Sequence, residues 1–224
     1  MKMNEMKKTS SNAGNALWFI LIAIALLGIL TAMMTRTSTE TEETGDMERA
    51  TISVSQIMGN ASGMSAIVNK LLLSGCAESQ LNFKYGGMGH TINSNAPTDG
   101  SCDVYGAGGG LPDRGLGTNF STRGDHTVID VGTAEPELIF VTDVTRDQCI
   151  SINRTLGIVN DGSEGPPDDI FYGGTYFTGT HTAPVSDDQR IENPAFSQKK
   201  AGCMHNGGSG STALFLFYTV LVAH

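Results

Sequence analysis

The sequence predicts an α+β protein: a long N-terminal helix, membrane span plus amphipathic half, packed on a small antiparallel sheet with Gly-rich loops. Three observations predict it. An uncharged stretch of 27 residues runs from Thr9 to Thr35. Ile57, Ala61, Met64, Val68 and Leu71 then recur at spacings of 4, 3, 4 and 3, the period of one helix face. Beyond them lie short β-branched and aromatic runs separated by turn-forming segments, in a chain where 28 of 224 residues are glycine, against about 7% in typical proteins. Charged residues are 17% and apolar residues 39%, which suits turn-rich β structure better than a helical bundle or a charge-driven disordered chain.

Charge divides the chain further. Residues 1–14 carry Lys2, Lys7 and Lys8 against Glu5, residues 15–36 carry only Arg36, and the remainder holds 22 of the 23 acidic groups, for a net charge of −9. The expected organisation is therefore a basic leader (1–14), a transmembrane helix (15–35), an acidic linker (36–46) and an extracytoplasmic head (47–224). An acidic head argues against nucleic acid as a partner, because that partner needs a cationic surface.

The apolar heart of the span, Ala16 to Met34, is 19 residues; at the helical rise it reaches roughly 28 Å, close to the hydrocarbon thickness of a bilayer. Lipid offers the backbone no partners, so the segment must be helical. Trp18 sits near one end, where indoles favour the interface, and Lys7 and Lys8 before the span place residue 1 in the cytoplasm and the head outside. A removable secretory signal would have a shorter apolar core and a small-x-small cleavage site nearby, and this segment has neither.

The run from Gly14 through Asn15-Ala16-Leu17-Trp18-Phe19 to Gly28-Ile29-Leu30 resembles the N-terminus of a type IV prepilin or type II secretion pseudopilin. That class has a short basic leader ending in Gly and an apolar helix carrying a Gly-Ile-Leu element. The resemblance implies cleavage between Gly14 and Asn15 by a prepilin peptidase, methylation of the mature chain, and a filament core that includes Leu17, Phe19 and Gly28. It also implies other pilin-like subunits as partners, the lipid bilayer as first environment, and a bacterial inner-membrane, single-pass location with the head periplasmic or extracellular. One position departs from the pattern: the class carries Glu at the fifth mature position, and here Phe19 stands there. That Glu is thought to meet a neighbouring subunit's terminal amine, so the substitution points to a minor pilin or pseudopilin rather than a major subunit.

After the linker the helical pattern begins near Met47, is widened by Ile67, Leu72 and Leu73, and stops near Ser74-Gly75. Residues 81–123, with ten glycines between Gly86 and Gly117, predict turns and long loops. No G-x-x-x-x-G-K-[ST] loop is present, and Tyr105-Gly106-Ala107-Gly108-Gly109-Gly110 does not fit G-x-G-x-x-G, which excludes the nucleotide-binding loops. Strands are expected at 127–131 and 137–142, a helix at 146–156 behind a cap at Asp143, a strand or hairpin at 171–177, and a buried central strand at 213–223. That last apolar segment has 11 residues, against about 20 needed for a second span.

Cys76, Cys102, Cys149 and Cys203 all fall outside the membrane in this topology, where oxidising conditions favour disulfides. Three pairings are possible. Cys76–Cys102 would bracket the Gly-rich loop, and the pilin habit of tying a C-terminal loop to the sheet favours Cys149–Cys203. Catalytic, cofactor and metal residues are not expected. There is no C-x-x-C, and Cys203-Met204-His205 stands alone. Asn160-Asp161-Gly162-Ser163-Glu164 with Asp168 and Asp169 is oxygen-rich but fits no EF-hand spacing. Asp125, His126 and His181 could serve a hydrolase triad, yet no G-x-S-x-G supplies the nucleophile. The expected protein is thus not an enzyme but a pilin-like structural subunit, with a single-pass envelope protein bearing a ligand- or partner-binding head as the alternative.

Overall fold

The computed structural model describes residues 52–84, 92–106, 108–111, 120–160, 165–171, 174–207 and 214–224, all within one unit, Ala50–His224. The leader, the expected span and the acidic linker lie outside these residues, as do Gly14, Asn15, Leu17, Phe19 and Gly28. Among the described residues no helix is long and apolar enough to cross a membrane.

Helix α1 (52–73) buries Val54, Ala61, Met64, Val68 and Leu71. Four of these positions belong to the stripe that the 3.6-residue period selects, Val54 extends it toward the N-terminus, and Ile57, also expected there, is half-buried. Leu73, expected to widen the face, instead points to solvent at 90% exposure. The helix ends in a Schellman motif: the Cys76 N–H donates to the Leu71 carbonyl and the Gly75 N–H to the Leu72 carbonyl. Gly75 takes φ 101°, a left-handed conformation that a side chain would strain.

The sheet has five strands: β1 (Phe120–Val128), β2 (Glu137–Val144), β3 (Arg190–Ile191), β4 (Ala201–His205) and β5 (Phe215–Val222). Their order is β3-β1-β2-β5-β4. Every pairing is antiparallel except β1 with β3, so the sheet is mixed where an antiparallel one was expected. Helix α2 (Arg146–Leu156) covers the span expected, but its N-cap is Thr145, whose hydroxyl accepts from the Gln148 N–H, and not Asp143. Strand β1 begins seven residues before the expected 127–131 segment, which itself turns away after Val128. The segment near 171–177 contributes only an isolated bridge between Tyr176 and Arg123 among its described residues.

Both faces of the sheet are covered, and side-chain alternation assigns each residue to one of them. Leu138, Phe140, Phe217, Leu221 and Cys203 share their face with α1 and with Cys149 and Ile152 of α2. Ile139, Val141, Leu216, Tyr218, Val220 and Met204 face a layer built from Phe171, Ile191, Phe196 and Ile158. Two-sided burial explains why β2 and β5 are continuous apolar runs rather than alternating ones. Phe196 meets Tyr218 edge-on at 5.7 Å. Gly202 lies beneath both rings, where a Cβ would come within 2.8 Å of Phe196 and 2.9 Å of Tyr218.

Disulfides join Cys76 to Cys102 and Cys149 to Cys203, the two pairs the sequence favoured. The first ties the end of α1 to the Gly-rich loop across 26 residues, the second ties α2 to β4 across 54. Closing loops of these lengths stabilises by roughly 3–4 kcal/mol each through the unfolded chain. Beside the second, the fully buried Asn153 accepts from the Cys203 N–H and donates to the Cys203 carbonyl and to Asn160, so its amide is satisfied inside the core.

Candidate functional site

Three polar side chains from distant parts of the chain meet beside the exit of α1. Glu78 opens a 3-10 turn, Glu78–Gln80, two residues after the first disulfide. The Gln80 side-chain oxygen accepts from the Ala77 N–H and fixes this turn. His181 lies on a coil segment held to β1, where the Thr182 N–H donates to the Gly124 carbonyl. His224 follows β5, and the Thr133 N–H donates to its backbone carbonyl. The Glu78 carboxylate spans the two rings: Oε1 lies 2.7 Å from His181 Nε2 and Oε2 lies 2.9 Å from His224 Nε2. The imidazoles meet edge to face at 4.6 Å, and one donor atom from each of the three residues lies within 4.8 Å of the others. All three side chains keep 21–25% of their surface exposed.

Hydrogen-bond inventory sets the protons. His224 Nδ1 is 2.7 Å from the Pro136 carbonyl, which can only accept, so Nδ1 carries hydrogen. His224 Nε2 then meets a carboxylate oxygen, and the contact is attractive only if a positive charge sits on or beside that nitrogen. His181 is different: its Nδ1 is buried with no hydrogen-bond partner among the described residues, which leaves Nε2 to donate to Glu78. Burial pushes the Glu78 carboxyl up, but the hydrogen bonds with His181 and His224 outweigh it and hold the group below its usual range. Burial pushes His224 down, and its bonds to Glu78 and Pro136 outweigh that, raising it.

Glu137 lies close behind. It has no exposed surface. Its Oε2 accepts from the Val128 N–H at 3.1 Å, while Oε1 is buried with no hydrogen-bond partner among the described residues. Burial pushes its carboxyl up to about 7, and neither the Val128 amide nor the nearby histidines restore the ordinary value.

The residues considered for a triad divide into separate places. Asp125 Oδ1 pairs with His126 Nδ1 at 2.7 Å, and Oδ2 accepts from the Thr175 N–H and Gln189 Nε2. Burial raises the Asp125 carboxyl, but the His126 and Thr175 hydrogen bonds prevail and lower it. The His126 ring is fully buried and stacks on Phe171 at 4.1 Å. Its Nε2 has no hydrogen-bond partner among the described residues, so neither solvent nor a described hydroxyl reaches the nitrogen a general base would use. His181 turns to Glu78, not to Asp125. In the oxygen-rich loop, residues 161–164 lie outside the described residues; Asp168 pairs with His205 and Asp169 accepts from the Asn193 and Ile170 N–H groups.

Sequence reasoning singled out His181 for another role and missed Glu78 and His224. They lie 103 and 146 residues from their partners, and no local spacing announces such a meeting. No family model, curated protein or solved structure matches the chain.

Proposed function

We propose that the chain is a membrane-anchored, pilin-like structural subunit, a minor pilin or pseudopilin of a type IV pilus or type II secretion-like filament. The observation that carries the proposal is a continuity. The prepilin-like segment with its uncharged stretch is followed, after an acidic spacer, by α1, whose apolar stripe packs on one face of the sheet. A stem that leaves the bilayer and seats a disulfide-tied head is the arrangement such a subunit needs. The helix 15–35 would hold the chain in the inner membrane before assembly and pack through Leu17, Phe19 and Gly28 afterwards. Prepilin peptidase and other pilin-like subunits are the proposed partners, and the head is placed in the periplasm or beyond.

Phe19 makes copy number the test. A buried carboxylate in hydrocarbon is costly without a cationic partner, while Phe packs without one and offers no carboxylate to a neighbour's amine. Quantitative mass spectrometry of sheared filaments should find this chain far less abundant than any Glu-bearing pilin of the same cell. Finding it as the dominant filament component would contradict the minor-subunit assignment. The cluster of Glu78, His181 and His224 favours the second reading, a single-pass envelope protein with a ligand-binding head; complete absence from sheared filaments, with the chain retained in membranes, would select it.

A further inference from the structure

We infer that Glu78, His181 and His224 form a binding site for one divalent transition-metal ion of the zinc class, clamping the end of β5 to the exit of α1. The inference does not depend on filament assembly. It starts from the convergence of three ligand-type side chains: Glu78 Oε1 lies 2.7 Å from His181 Nε2, Oε2 lies 2.9 Å from His224 Nε2, and one donor atom from each residue lies within 4.8 Å of the others. His224 donates through Nδ1 to the Pro136 carbonyl at 2.7 Å, which turns Nε2 toward Glu78. Either a proton on Nε2 or a metal ion between the two satisfies that contact, and the second imidazole completes a ligand set for the ion.

The geometry and chemistry of the donors suit such an ion. Ligands about 2.0–2.2 Å from a tetrahedral zinc stand roughly 3.3–3.6 Å from each other. The Glu78 oxygens, at 2.7 and 2.9 Å from the two ring nitrogens, open by about half an ångström or somewhat more on binding, and the wider donor separations, all within 4.8 Å, close. Two imidazoles and a carboxylate suit zinc and its neighbours, whereas calcium and magnesium take oxygen ligands. The Nδ1–H to Pro136 contact is the support that metal-bound histidines commonly have, orienting the ring and fixing the tautomer. Three protein ligands with part of each side chain exposed leave the fourth position to water. Among the described residues His181 has no corresponding support at Nδ1, which makes it the weakest of the three ligands.

A structural consequence follows from where the ligands sit. Glu78 is two residues from the Cys76–Cys102 disulfide, and His224 is two residues beyond the last residue of β5. An ion there joins the exit of α1 to the end of β5, which neither disulfide links to each other.

The test uses the full, tag-free chain in detergent, stripped of metal and titrated with Zn²⁺ alone at neutral pH, bound metal being measured by equilibrium dialysis. One Zn²⁺ per chain is expected. Glu78→Gln and His224→Ala should each weaken binding by about tenfold or more, and His181→Ala by less. Co²⁺ at the same site should show the intense visible bands of four-coordination, lost in Glu78→Gln. That variant keeps a hydrogen-bonding group toward His181; its fold is checked by circular dichroism and by mapping both disulfides, so it decides the matter even if His224→Ala fails to fold. His205→Ala, which removes the separate Asp168–His205 pair, should leave binding unchanged. Absence of stoichiometric Zn²⁺, equal affinity in folded Glu78→Gln, or loss of the ion in His205→Ala would each overturn the site.

Discussion

At the scale of single residues, Glu137 links protonation to folding. Its folded value of about 7 lies above its ordinary 4.5 because burial penalises the charged form. The folded state therefore holds the proton more tightly than the unfolded chain. The stabilisation is complete below about 4.5, is lost as pH rises through about 7, and changes no further above that. The difference corresponds to something on the order of 3 kcal/mol. Glu137→Gln keeps an oxygen for the Val128 N–H and removes the charge. In urea unfolding of the full chain with its disulfides intact, the variant should be the more stable protein at pH 8, by up to that amount, and should match the parent near pH 4.5. An equal difference at both pH values would show that the carboxyl is not neutral in the fold. Nothing in the sequence around Glu137 marked it: a Glu opening a β-branched run is ordinarily a solvated strand end, and its burial opposite His126 of β1 comes from the tertiary fold. The same holds for Glu78 and His224, whose meaning lies in a meeting of three distant segments.

At the scale of elements, legibility followed length and self-sufficiency. Helix α1 was readable because its stripe repeats over several turns. Helix α2 was readable in extent, and its true cap, Thr145 with Gln148 three residues on, was also present as a local pattern. Strands β2 and β5 were readable as apolar runs. Strand β4, with Gly202 and a disulfide cysteine in five residues, carries little intrinsic strand signal; its place comes from pairing with β5 and from the bond to α2. The start of β1 was hidden because it follows directly on a Gly-rich run, and β3 is two residues long. The stripe on α1 also makes a graded prediction. Met64 is fully buried among Phe120, Leu138 and Phe140, whereas Leu73 is exposed. Met64→Ala should cost about 2–5 kcal/mol in denaturant unfolding, and Leu73→Ala no more than about 0.5 kcal/mol. Comparable losses at both positions would contradict the packing of α1 on the sheet.

At the scale of the whole molecule, the described residues form a head built on a two-sided sheet. The head's α+β class was legible because a periodic helix precedes the strands. The mixed sheet was not, because the parallel β1–β3 pair depends on a short segment returning after 61 residues of intervening chain between Val128 and Arg190. We propose that this chain is processed and assembled as a pilin-like subunit, and cleavage after Gly14 is the step that decides it. Intact-mass analysis of the chain recovered from membranes of cells with a working prepilin peptidase should give a mature protein beginning at Asn15, and Gly14→Val should leave the leader in place. Recovering only chains that begin at Met1 from the unmodified protein would contradict the pilin-like account and leave the plain membrane-anchored head.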